Sequence, residues 1–212
     1  VDRFTKVSAL ATPTRTPTLW EPEEYERMRE AAERLPADSE LRFVNELIRR
    51  FGLRSQEAIA ARSTWIRETA EGGWALFVED YPENGLAPFS IKGARARALA
   101  IPEDMFATLM RRKLRGGYLI EGERTVADGK LRCPLVQREH VDWLRQFCGD
   151  RRLPNHDLRR WAGSFVYRDQ GPGAAQMFLG HVSLQTTMES YAGWIGALPP
   201  IASEQTCGKE VA

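Results

Sequence analysis

The sequence predicts a mainly α-helical fold with a small antiparallel β-sheet, an α+β domain, on three observations. Apolar residues recur at helical spacing on either side of the middle of the chain. The middle instead holds short strand-like runs separated by Gly and Pro clusters. A chain of 212 residues with 42% hydrophobic residues can also bury a core without disulfides or metal.

Residues 1–18 interleave threonines with two prolines toward their end and show no apolar period, which predicts a linker remnant or tail. From Trp20, Tyr25, Met28, Ala32 and Leu35 fall at helical spacing behind Pro22 and an acidic first turn. A second helix follows Ser39, with Leu41, Val44, Leu47, Ile48 and Phe51 on one stripe and Gly52 as its stop. A third starts at Ser55, whose hydroxyl is suited to cap it. Trp74 to Val78, Phe89 to Ile91 and Ala98 to Ile101 are the predicted strands, with Lys92-Gly93-Ala94-Arg95 at a tip between two of them. Pro102 opens a helix that turns Met105, Phe106, Leu109 and Met110 inward and stops at Gly116-Gly117. Residues 117–136 carry no clear period, and a helix around Val141, Trp143, Leu144 and Phe147 follows. After the basic loop Arg151-Arg152-Leu153-Pro154, Asn155 is expected to cap a helix with the stripe Leu158, Trp161, Ala162, Phe165 and Val166. The folded domain is expected over 19–200, with a polar tail over 201–212.

Neither a leader nor an 18-residue apolar run is present, so the expectation is a cytoplasmic protein without a membrane anchor. Cys133, Cys148 and Cys207 form no C-x-x-C pair and read as free thiols. A net charge of +1 argues at first sight against nucleic acid. The sum conceals opposite patches, however. Residues 21–40 hold eight acidic and three basic side chains, whereas 86–115 hold seven basic and two acidic, and 145–168 six basic and two acidic. Arginine outnumbers lysine 25 to 5, and its planar fork suits phosphate.

His156 and Arg159, three residues apart, share one side of their helix close to its N-terminus, an arrangement suited to an anion. Taken alone, the pair equally fits a solvated helix face, Arg54 a cap or surface arginine, and Lys92 an ordinary turn lysine. The ordered set is more specific. Gly52-Leu53-Arg54-Ser55-Gln56-Glu57-Ala58, then Lys92, His156-Asp157-Leu158-Arg159, Leu179-Gly180-His181, and Thr186-Thr187 with Tyr191 resembles the catalytic domain of tyrosine recombinases of the phage integrase type. The resemblance spans about residues 19 to 194.

That resemblance implies site-specific DNA cleavage and rejoining through a covalent 3′-phosphotyrosyl intermediate, with no metal and no cofactor. It further implies that Tyr191 is the nucleophile and that Arg54 and Arg159 clamp the phosphate. His156 and His181 donate hydrogen bonds to it, with His156 also in proton transfer. Lys92 protonates the leaving 5′-oxygen, and Glu57 orients the site. Thr186 and Glu189 read as a capping box that sets Tyr191 in the second turn of a short helix. His140 carries no motif and is expected on the surface.

Some features depart from the family pattern. Tyr191 follows His181 by ten residues where nine is common, the Gly171-Pro172-Gly173 segment is short, and Arg160-Trp161 replace small or polar residues. Complete enzymes of the family carry an N-terminal DNA-clamping domain with no counterpart here, so the chain reads as a catalytic fragment. Double-stranded DNA is the implied partner, with tetramers on DNA during synapsis and a monomer for the isolated domain. A mobile-element integrase is the leading expectation. The alternatives are a type IB topoisomerase-like enzyme and a non-catalytic DNA-binding accessory protein.

Overall fold

In the computed structural model, which describes residues 20–81, 89–91, 95–121 and 134–191, the core is organised around one nearly enveloped helix. The elements are α1 (Pro22–Arg34), α2 (Glu40–Phe51), α3 (Ser55–Ala60), a short 3-10 turn (Ser63–Trp65), β1 (Ile66–Glu68), β2 (Trp74–Val78), β3 (Arg97–Ala100), α4 (Glu103–Arg115), α5 (Pro134–Cys148), α6 (Pro154–Leu179) and α7 (Leu184–Tyr191). The mainly helical α+β expectation holds. The expected linker at 1–18 and tail at 201–212 lie outside the described residues, as does the tip at 92–94.

Helix α2 is the central one. Its start is fixed by Ser39, whose hydroxyl accepts the Arg42 N–H at 3.3 Å. Its end is fixed by Gly52 at φ 57°. A Cβ at Gly52 would also lie 2.5 Å from the Phe178 ring, so both backbone conformation and the approach of α6 require glycine there. Phe43, Val44, Leu47, Ile48 and Phe51 of α2 are buried, packed with Trp20, Met28, Trp65, Ile66, Leu76 and Leu109. Burying each such side chain contributes roughly 1.5–3 kcal/mol. Trp161 of α6 stacks on Tyr25 of α1 at 5.0 Å between ring centroids.

The sheet is antiparallel in the order β1-β2-β3, with Ile66 opposite Leu76, Leu76 opposite Leu99, and Val78 opposite Arg97. Two expectations are corrected. Phe89 to Ile91 is not a strand of this sheet; Phe89 forms an isolated bridge with Tyr81 and packs its ring against Trp65. The third strand is instead Ile66–Glu68, hidden from pattern reading because only Ile66 of its three residues is buried. In α4, Phe106 is 38% exposed, and the buried positions are Met105, Leu109 and Arg112.

Helix α6 begins at Pro154 with Leu153 as its cap, so Asn155 lies inside the first turn instead of capping it. Its path breaks at Gly171, where φ is 86°, and restarts at Pro172, a residue that needs no N–H partner in a first turn. Likewise Ser55 is the first residue of α3 and does not cap it.

Candidate active site

The carboxylate of Glu57, 2% exposed, joins three arginines from three elements. Arg54 precedes α3, and both its backbone N–H (2.8 Å) and its Nη1 (3.0 Å) donate to Glu57. Arg97, on the inward face of β3, donates through Nη2 at 2.7 Å and Nη1 at 3.3 Å. Arg159 of α6 lies 3.6 Å away through Nη1. Three guanidiniums around one carboxylate leave the cluster with excess positive charge. Burial disfavours the charge on Glu57, but Arg97, Arg159 and the Arg54 N–H outweigh it and hold the pKa below its usual value.

Arg159 does not lie on the solvated face that helical spacing suggested. It is buried, and it donates from Nη1 to the Gly52 carbonyl and from Nη2 to the Leu179 carbonyl at 2.5 Å. It therefore ties the end of α2 to the far end of its own helix. Beside it, Gly180 sits at φ 66°, and a Cβ there would lie 2.9 Å from Arg97 Nη1 and 3.0 Å from the Arg95 carbonyl oxygen. The Arg95 N–H donates to the Gly180 carbonyl at 3.1 Å, which fastens the return to β3 against the turn that carries His181.

The two motif histidines flank this cluster. His156 is at the exposed rim in the first turn of α6, yet its pKa is lowered to about 4, first by the protein atoms crowding the ring and then by Arg160, Arg159 and Arg54. His181, half-buried, is likewise lowered to about 4 by burial, followed by Arg159, Arg54, His156 and Arg97. At these values both imidazoles are neutral at pH 7, and a bound phosphate would draw their pKa values upward. His181 Nδ1 lies 2.9 Å from the hydroxyl of buried Thr187. A hydroxyl both donates and accepts, so Thr187 can serve either tautomer.

Arg54, Glu57, His156, Arg159 and His181 are thus brought together. Lys92 lies outside the described residues, and Tyr191 is the last described residue of α7. Helix α7 begins at Leu184, so Thr186 is inside the helix, not at a cap, and Tyr191 is its eighth residue, past two full turns. Sequence reasoning missed Arg97, Thr187 and the burial of His140. The signal for Arg97 was available: it shares the inward face of β3 with Leu99, and a charged residue on a buried strand face needs a partner. His140, expected on the surface, is fully buried because α5 turns it toward Asn45 of α2.

Neither a protein-family model nor a curated protein matches the sequence. Solved structures do. The XerH site-specific recombinase bound to a palindromic difH substrate, in a post-cleavage complex, matches with a TM-score of 0.58 and 20% identity over 82% of this chain and 49% of that one. The pre-cleavage complex of XerH on difH matches with a TM-score of 0.57, also at 20% identity. XerA recombinase matches with a TM-score of 0.58 and 18% identity over 90% of this chain and 67% of that one. The chain has the fold of a tyrosine recombinase catalytic domain. It spans about half the length of the XerH chains it matches. Within this recombinase fold, the arginine cluster is built from the start of α3, strand β3 and α6, and the α6–α7 turn adds His181. Among the described residues, no helix is long and apolar enough to cross a membrane.

Proposed function

We propose that this chain cleaves and rejoins DNA strands at specific sites through a covalent 3′-phosphotyrosyl intermediate. The observation that carries the reading is the convergence of Arg54, Arg97 and Arg159 on buried Glu57, flanked by two neutral histidines. Phosphoryl transfer needs little covalent chemistry from a protein beyond one nucleophile. It needs fixed positive charge aimed at the non-bridging oxygens. Arginines whose positions are set by a shared carboxylate provide that charge without rearranging as the reaction proceeds.

In the proposed reaction the Tyr191 oxygen attacks the scissile phosphorus, forming a new P–O bond as the bond to the 5′-oxygen breaks. Neutral His156 takes part in accepting the phenol proton, and the Lys92 ammonium protonates the departing 5′-oxygen. A 5′-hydroxyl from another strand then reverses the steps and releases the tyrosine. Connectivity supports both assignments. Tyr191 follows Thr187, whose hydroxyl meets His181, by four residues along α7. Lys92 is three residues from Arg95, whose backbone is fastened beside His181, so their Cα atoms are at most about 11 Å apart. Double-stranded DNA is the substrate, self-association on DNA accompanies strand exchange, and a mobile element is the proposed setting.

The test is a nicked suicide substrate that traps the covalent step, carrying the target site of the element that encodes the chain. A protein–DNA adduct at Tyr191, abolished in Tyr191→Phe with binding retained, is the expected result. Failure to form an adduct while DNA is bound would leave a non-catalytic DNA-binding protein.

A further inference from the structure

We infer that Thr187 is a positioning residue: its buried hydroxyl holds the His181 imidazole through Nδ1, leaves Nε2 as the nitrogen that meets a phosphate, and so joins the placement of this ring to the seating of the helix that carries Tyr191. The inference rests on the recombinase reading of the site. Its structural basis is a direct contact, His181 Nδ1 to Thr187 Oγ1 at 2.9 Å. The same contact is where α7 is seated. Of positions 184–188 of this helix, Leu184, Gln185, Thr186 and Met188 are exposed, and Thr187 is 0% exposed. An amphipathic helix ordinarily buries its apolar side chains. Here a leucine and a methionine stay in solvent and a hydroxyl takes the buried position, which requires a polar partner. His181 supplies it. The backbone of His181 is fixed separately. Its N–H donates to the Gln176 carbonyl at 3.0 Å, and the Gln176 side-chain amide donates back to the carbonyls of His181 at 3.1 Å and Val182 at 3.3 Å. What is left to set is the rotation of the ring, and Thr187 sets it.

A hydroxyl in this position has a chemical reason. On the proposed reading, His181 donates from Nε2 to a non-bridging oxygen. A neutral imidazole has one N–H, so donation from Nε2 leaves a lone pair on Nδ1 that needs a donor. A backbone carbonyl there would only accept; it would hold the proton on Nδ1 and turn the Nε2 lone pair toward the phosphate. The Thr187 hydroxyl instead donates to the Nδ1 lone pair. When a phosphate draws a second proton onto the ring, the same hydroxyl rotates and accepts from Nδ1–H, so the ring keeps its place in both states. Valine has the shape of threonine and offers neither contact.

The experiment compares the full wild-type chain with Thr187→Val, Thr187→Ser and, as a control, Thr186→Val, which makes the same chemical change at the adjacent exposed position. Histidine ring nitrogens are recorded by NMR at pH 7.5 without DNA, where His181 is neutral, and are assigned from the signals lost in His181→Gln. The expected result is a displaced His181 Nδ1 resonance in Thr187→Val and the wild-type resonance in Thr187→Ser and Thr186→Val. On the suicide substrate, Thr187→Val is expected to lose about 10- to 100-fold in single-turnover cleavage at unchanged DNA affinity, the scale of removing a group that orients a functional histidine. Thr187→Ser should recover most of that loss. Should Thr187→Val fail to fold, Thr187→Ala removes the same hydroxyl with a better helix former. An undisplaced Nδ1 resonance in the folded valine or alanine variant would overturn the inference, as would cleavage at the wild-type rate. A serine variant no better than the valine one would overturn it too. Absence of an adduct with wild type, beside a displaced Nδ1 resonance in Thr187→Val, would instead count against the recombinase reading and leave the hold on the ring standing.

Discussion

Replacing Glu57 by Gln removes one negative charge and almost no volume, and isolates the electrostatic role of the carboxylate. Arg97 and Arg159 are each 4% exposed at the side chain and lose their anionic partner, while Arg54, at 33%, is still partly hydrated. Breaking a buried pair from one side costs about 3–5 kcal/mol, because the remaining cation stays desolvated. The Arg54 contact adds less than about 1 kcal/mol, since solvent screens it. Arg159 retains its two carbonyl acceptors, which limits its share. For a chain of this size each kcal/mol lowers Tm by roughly 2–4 °C, so the expected loss is on the order of 6–20 °C. Differential scanning calorimetry provides the measurement. Two controls sharpen it. Sulfate should stabilise Glu57→Gln more than wild type, by supplying the missing negative charge among the arginines. Adding Arg97→Met to Glu57→Gln should recover at least about 2 kcal/mol, because both partners are then gone. A Tm change below 2 °C, or equal stabilisation of both proteins by sulfate, would refute the account of Glu57 as the organising charge.

Other outcomes follow from the same geometry. Gly180→Ala should destabilise by about 2–3 kcal/mol in urea titrations, because φ 66° strains any side chain and the new methyl meets Arg97 and the Arg95 carbonyl. Trp161→Ala, which removes a 2% exposed ring stacked on Tyr25, should cost about 3–5 kcal/mol in the same assay. Acidification should destabilise the fold. The pKa values of His140, His156 and His181 are all lowered, so the unfolded chain takes up protons near pH 6.5 and the folded one does not until pH falls to about 4 or below. The stabilisation is complete above about pH 6.5 and lost as pH falls, with His140 alone contributing roughly 1.4 kcal/mol per pH unit across that window. Urea midpoints that do not move between pH 7.5 and 5 would contradict this.

The fold was legible where periodicity and punctuation agreed. Ser39 and Gly52 bracket α2 as expected, and Pro102 and Gly116 bracket α4. Pattern failed where tertiary contact overrode it. Ile66–Glu68 is too short to show an alternation, and Phe89 joins an aromatic cluster with Trp65 and Tyr81 in place of a strand ladder. Asn155 and Ser55 have the chemistry of caps, but the Asn155 amide instead donates to the Ser55 hydroxyl across two helix starts. Candidate site residues were legible as an ordered set, because spacing along the chain records which element carries each one. Their mutual dependence was not. Nothing local to Arg97 or His140 reports that one would meet Glu57 across 40 residues of sequence and the other Asn45 across 95.

The two carbonyls that hold Arg159 come from helix ends: Gly52 closes α2, and Leu179 is the last residue of α6. Carbonyl ends of helices carry partial negative charge, equivalent to about half an electron each. Their convergence partly neutralises this guanidinium before any ligand arrives and fixes the plane in which its fork lies. Arg159 therefore works as a mould more than as a magnet. On the proposed reading, long-range attraction of DNA would fall to cations nearer the surface, and this buried fork, held by two carbonyls, would meet only a phosphate oxygen that reaches it in the plane they set.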